Sequence, residues 1–185
     1  MRVHALVIGR FQPLHLGHIH ALKYVMRQCS YMIIGIGSSQ YSWTWRNPFS
    51  ASERMEMLVR ALRAEGVELG RVALVPIPDS TPDQPDWARI VLERCPKFDV
   101  VYSNDDWTRR ELEAVGIVVK PIPFYRREVY SATRIRALMA SGDNSWVKLV
   151  PKAVMEFMME INGASRVREI WLREQRDAKG KLRLR

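Results

Sequence analysis

Short apolar runs alternate with amphipathic stretches along most of the chain. Residues 3–8 form a short, mainly apolar run ending at Gly9, the pattern of a strand buried on both faces. Residues 17–28 then place Ile19, Leu22, Val25 and Met26 on one helical face. The alternation repeats. Strands are predicted over 31–36, 72–76, 98–102 and 117–120. Helices are predicted from Ser50 or Ser52 through 64, and over 87–94, 106–115 and 131–139. Pro151 suits a first helical turn and opens a last predicted helix to 161, which Gly163 is expected to stop. Pro78, Pro82 and Pro85 make 79–86 an irregular loop. A β-α order repeated five times predicts an α/β fold, a doubly wound parallel sheet with a small C-terminal helical extension. Right-handed crossovers put every strand C-terminus at one edge, where such sheets bind ligands.

Length and charge refine this picture. The 185 residues fit one domain, expected over 1–163, followed by a basic tail over 164–185. That tail holds +5 of the net charge of +9. It is read as a solvated helix that frays into a disordered end, rather than as a nucleic-acid surface. The remaining +4 suits a pocket for small polyanions. No apolar run reaches the roughly 18 residues of a membrane span, and the N-terminus does not read as a signal peptide, so a cytoplasmic protein is expected. Cys29 and Cys95 are read as buried thiols.

The candidate chemistry sits where strands end and helices begin. Gly9-Arg10-Phe11-Gln12-Pro13-Leu14-His15-Leu16-Gly17-His18 directly follows the first strand. A helix N-terminus offers unpaired N–H groups and partial positive charge, which attract phosphate. His15 and His18 add imidazole donors in one tight turn, and Arg10 adds a planar fork for phosphate oxygens. The strand-to-helix placement suits phosphate better than a zinc site built from His15, His18 and His20. Ser131-Ala132-Thr133-Arg134-Ile135-Arg136 opens a late helix and forms a second anion site. Thr133 and Arg136 share a face there, while Arg134 points elsewhere. After the second strand, Arg46 lies among Trp43 and Trp45. Asp79 and Trp87 bracket the loop after the third strand, where an indole face can stack on a base. Arg54 is expected to serve a structural role, pairing with Glu53 or a backbone carbonyl.

These motifs, with residues 33–40 (Ile-Ile-Gly-Ile-Gly-Ser-Ser-Gln) and 47–54 (Asn-Pro-Phe-Ser-Ala-Ser-Glu-Arg), resemble the archaeal-type nicotinamide-nucleotide adenylyltransferases, in order over residues 1–162. The resemblance implies a Rossmann-like nucleotidyltransferase fold and ATP binding by Gly9, Arg10, Phe11, His15, His18, Ser131, Thr133 and Arg136. Catalytic contacts fall to His15, His18 and Arg136. Ser39, Arg46, Asp79 and Trp87 fall where the family binds the nicotinamide nucleotide. It also implies ATP and nicotinamide mononucleotide as substrates, Mg2+ as divalent cation, and a homo-oligomer, often a hexamer. No protein metal ligand is assigned, because magnesium would be held mainly by phosphates and water. Three features depart from the family. Ala132 replaces a glycine, Ser103-Asn104-Asp105-Asp106 replaces Ser-Gly-Asn-Pro, and the loop over 79–87 is one residue longer.

The implied reaction joins ATP and nicotinamide mononucleotide to give NAD and pyrophosphate. Its nucleophile is an already anionic phosphate, so no general base is required. Other acceptors such as flavin mononucleotide or a phosphopantetheine, and a non-catalytic nucleotide- or RNA-binding role, are the competing readings.

Overall fold

The computed structural model describes residues 3–182. Five parallel strands form one sheet in the order β3-β2-β1-β4-β5, with β1 His4–Gly9, β2 Tyr31–Ile36, β3 Val72–Pro76, β4 Val100–Tyr102 and β5 Val119–Lys120. The chain winds outward from β1 through β2 to β3, then crosses back to lay β4 on the other side of β1. The strand order therefore reverses between β1 and β4, which opens a crevice beyond their carboxyl ends. This is the doubly wound architecture that the apolar pattern predicts.

Strand geometry divides the core into two layers. Successive residues of β1 face opposite sides, so Ala5 and Val7 join one cluster while Leu6 joins the other. The first cluster lies under α1 (Leu16–Met26), α2 (Ala51–Ala64), α5 (Ala132–Ser141), α6 (Lys152–Glu160) and α7 (Gly163–Leu182). The second lies under α3 (Trp87–Arg94) and α4 (Asp106–Glu113).

Helix starts follow their caps. Ser50 accepts from Glu53 N while the Glu53 carboxylate accepts from Ser50 N, a complete capping box that opens α2. Asp86, Asp105 and Ser131 cap α3, α4 and α5 in the same sense. Two predicted boundaries change at the C-terminal end. Gly163 begins α7 instead of merely ending the preceding helix, because Asn162 takes the left-handed turn (φ 52°) that separates the two. The early part of the basic segment is not a solvated tail either: Val167 and Ile170 are buried, and α7 packs along α5. Residues 183–185 of that segment lie outside the described residues. Cys29 and Cys95 are half-buried rather than buried, and both are free thiols. The loop over 79–86 holds a small antiparallel bridge between Thr81 and Gln84. Among the described residues, no helix is long and apolar enough to cross a membrane.

Candidate active site

The turn after β1 is built from local bonds. His15 is the N-cap of α1, and its Nδ1 accepts from His18 N at 3.3 Å; His18 Nδ1 accepts from His15 N at the same distance. The two rings stack with centroids 3.6 Å apart. Since each Nδ1 is an acceptor, each neutral ring carries its proton on Nε2 and offers one N–H outward. Burial pushes the His15 pKa down to about 4. Burial, reinforced by the neighbouring His15, holds His18 well below its ordinary value. The pair is neutral at pH 7 and acts as two hydrogen-bond donors.

Four other residues of this motif serve the scaffold. Phe11 is buried with φ 51° and packs edge-on against His18, 4.9 Å between centroids, so it supports the imidazole from below. A Cβ at Gly9 would lie 2.8 Å from Phe11 Cζ, which is why only glycine fits there. Gly17 allows α1 to approach Tyr130 and the His15 ring. Gln12, which the sequence pattern does not single out, ties three motifs together. Its side chain donates to Phe49 O (2.8 Å) and accepts from Phe49 N (3.0 Å), and its carbonyl accepts from Arg136 Nη1 (2.8 Å).

Arginines crowd the same strand ends. Arg10 has its pKa lowered by burial and then by Arg46, with Asp79 and Asp105 opposing. Burial, Arg10 and Arg46 lower Arg136 to about 10. Arg10 and Arg136 both remain charged at neutral pH, so positive charge is concentrated at this edge, an arrangement that can accept an anion. Arg136 is buried beneath Trp45, 5.4 Å from its ring centroid, and its Nε has no partner among the described residues. Thr133 Oγ1 accepts from Arg136 Nη2 at 3.4 Å. Ser131 Oγ accepts from Arg134 N, so its hydroxyl oxygen is already engaged in capping α5. Arg134 turns away to donate to Glu128 O. Arg54 is fully buried and donates to the carbonyls of Ser50, Arg10, Gly37 and Ser38, the structural role expected of it. Glu53 pairs instead with Arg166.

Two cavities open at this edge and share Ile8 and Asp105. The larger, about 790 Å³, is lined by Arg10, Arg46, Asp79, Trp87, Trp107 and Glu174, among others. The smaller, about 330 Å³, lies beside His15, Gly17 and His18 and reaches Asn104, Phe124 and Tyr130. Arg46, Asp79 and Trp87 thus meet in one cavity, as their sequence positions suggest. Ser38 rather than Ser39 lines it: Ser38 sits at φ 50°, which aims its hydroxyl at both Asp79 carboxylate oxygens (3.0 and 2.9 Å). Gln40 then brackets the Asp79 backbone with two further bonds. Trp87 is both cavity wall and core residue, only 3% exposed, and tilts against Trp107, which is 42% exposed. Trp107 sits on an exposed helix start and has no periodicity signal to announce it. Asn104, one of the departures, donates to and accepts from the Ile122 backbone (2.6 and 2.9 Å) and so clamps β4 to the loop after β5. Among the described residues, no three His, Cys, Asp or Glu side chains converge as a metal site.

The cytidylyltransferase-like family model matches residues 6–138. A nicotinamide-nucleotide adenylyltransferase of Thermococcus sibiricus is 44% identical over 163 residues, covering 88% of this chain and 87% of that protein. The chain belongs to the nicotinamide-nucleotide adenylyltransferase family. The member from Saccharolobus solfataricus is 41% identical, over 88% of this chain and 93% of its own. The fold alone extends further. A bifunctional NMN adenylyltransferase/ADP ribose pyrophosphatase of Francisella tularensis superposes with a TM-score of 0.66 at 21% identity, over 94% of this chain and 56% of that one. Membership of the adenylyltransferase family agrees with the family resemblance carried by the turn after β1 and by residues 47–54.

Proposed function

We propose that the protein transfers the adenylyl group of ATP to nicotinamide mononucleotide, releasing pyrophosphate and forming NAD. The observation that carries this reading is the convergence of Arg10, Arg46 and Arg136 with two neutral histidine donors at one sheet edge, between two adjoining cavities. ATP takes the smaller cavity beside His15 and His18, with its triphosphate over the α1 N-terminus. The mononucleotide takes the larger, its phosphate toward Arg46 and its base against Trp87 and Trp107, with Ser38 and Asp79 at the rim. The phosphate oxygen of the mononucleotide attacks the α-phosphorus as the bond to pyrophosphate breaks.

Alignment and charge neutralisation then supply the catalysis. The Nε2–H groups of His15 and His18 donate to the phosphate oxygens on which charge builds, and His18 faces the transition state. Being neutral, they lose no proton and need no return path. Arg10 and Arg136 hold the leaving phosphates, and the free Nε–H of Arg136 gains an acceptor when they arrive. A magnesium ion would supply positive charge to shield the pyrophosphate, and would be held mainly by phosphate oxygens and water rather than by side chains. Homo-oligomeric assembly, up to a hexamer, belongs to the same reading, and light scattering tests it. The reaction is tested by pyrophosphate release from ATP and Mg2+ against a panel of acceptors. Nicotinamide mononucleotide should give the highest kcat/KM; a higher value for flavin mononucleotide or phosphopantetheine would reassign the acceptor.

A further inference from the structure

Helix α7 reaches back across the molecule to the segment that carries Arg46. Trp45 N donates to Glu174 Oε1 at 2.8 Å, across 129 residues of sequence. Arg173 Nη2 donates to the Trp43 carbonyl at 2.6 Å. Arg166 lies over the Trp43 ring, 4.5 Å from its centroid, and over Phe49 at 5.7 Å, while its Nη1 donates to Glu53 Oε1 at 2.6 Å. The segment needs this support. Thr44 and Asn47 close a tight turn by two backbone hydrogen bonds, and Trp43 enters it at φ 58°, a left-handed conformation that a bulky residue adopts only when its surroundings impose it. Trp45, Arg46 and Glu174 all line the larger cavity, and Trp45 also covers Arg136.

We propose that α7 is a positioning element for acceptor binding, and that Glu174 fixes Trp45, and through it Arg46, at the cavity wall. Glu174 acts here as a hydrogen-bond acceptor for a backbone N–H, not as a ligand of the reacting atoms. Loss of this bond frees the turn that carries Arg46 while leaving the histidine turn and the sheet intact. The inference rests on assigning the larger cavity to the mononucleotide.

Two substitutions at an exposed position separate the possibilities. Glu174→Ala removes the acceptor; Glu174→Gln keeps an Oε1 that can receive the same N–H. For Glu174→Ala, KM for nicotinamide mononucleotide should rise about tenfold, the effect of one lost charge-assisted hydrogen bond. KM for ATP should change less, since Trp45 touches the ATP side only through Arg136, and Tm should stay near wild type. Glu174→Gln should restore the mononucleotide KM, and Arg173→Ala should raise it about threefold. The proposal is overturned if Glu174→Ala leaves that KM unchanged, if Glu174→Gln is as impaired as Glu174→Ala, or if both substrate KM values and Tm move together. Amide hydrogen exchange at Trp45 is read in the same proteins. It should accelerate in Glu174→Ala and not in Glu174→Gln, whichever acceptor the enzyme uses. A wild-type protein inactive on the mononucleotide would sink the functional reading, whereas unchanged exchange would sink the strut.

Discussion

The turn that carries His15 and His18 is held by bonds between residues three apart. The wall that carries Arg46 and Asp79 is held by partners 39 to 129 residues away in sequence. Both present charge-handling groups to the same sheet edge, yet they depend on different things. The histidine pair closes on itself, although Gln12 and the Arg10 carbonyl in the same turn are also tied to Phe49, Arg136 and Arg54. The wall needs the whole fold to be assembled, including a helix that starts at Gly163. Local devices of the first kind survive distant changes, whereas the second kind is sensitive to any of its remote contacts.

The contrast can be broken most sharply at the turn. His18→Ala should lower kcat by about 10²–10³, the usual cost of losing one transition-state donor. It should also cost about 1 kcal/mol of stability through the lost cap, a Tm fall of about 2–4 °C. Thermal melting beside initial rates separates the two, and a variant with near-wild-type kcat would end the role assigned to His18.

Gln12→Ala comes next, since with Arg54 it joins turn and wall. Leaving Phe49 N and O without their partners should cost about 2–3 kcal/mol in chemical denaturation. Both substrates should bind more weakly, and loss confined to one of them would show that Gln12 does not link the two regions.

Trp107→Ala should weaken the mononucleotide about fivefold, a stacking contribution near 1 kcal/mol, with ATP unaffected in calorimetric titration. Trp87→Ala cannot serve for this purpose, because emptying a core tryptophan costs about 3–5 kcal/mol on its own. Equal weakening of both ligands by Trp107→Ala would remove Trp107 from the acceptor site.

The smallest effect concerns protonation. Folding lowers the His15 pKa to about 4, so the neutral form is favoured by the fold. Stability from this group is fully present above the ordinary histidine pKa near 6.5 and is lost as pH falls from there toward about 4. NMR of the ligand-free protein should show no His15 titration between pH 8 and 5. A midpoint near 6.5 would contradict the neutral stacked pair.

Legibility in the sequence follows the same division. The strands, the cap at Ser131 and the His15–His18 turn are carried by neighbours within a few positions and can be read directly; the α2 cap is narrowed to Ser50 or Ser52, and the structure selects Ser50. The wall cannot be read that way. A two-serine run does not reveal that Ser38, at positive φ, takes the carboxylate while Ser39 does not. A basic C-terminal segment resembles a solvated tail until Val167 and Ile170 are seen in the core and Glu174 at the cavity. Nor does any periodicity predict that Gln12 exchanges two bonds with the Phe49 backbone.

Ile8 and Asp105 belong to both cavities. Two ligands lying on either side of them are near enough to be tethered. A molecule that bridges this crest turns the second contact into an intramolecular one, with an effective concentration in the millimolar range for a short linker. The product of the proposed reaction is such a molecule. Its two halves would hold each other in place, and a synthetic mimic of that span would outcompete either half offered separately.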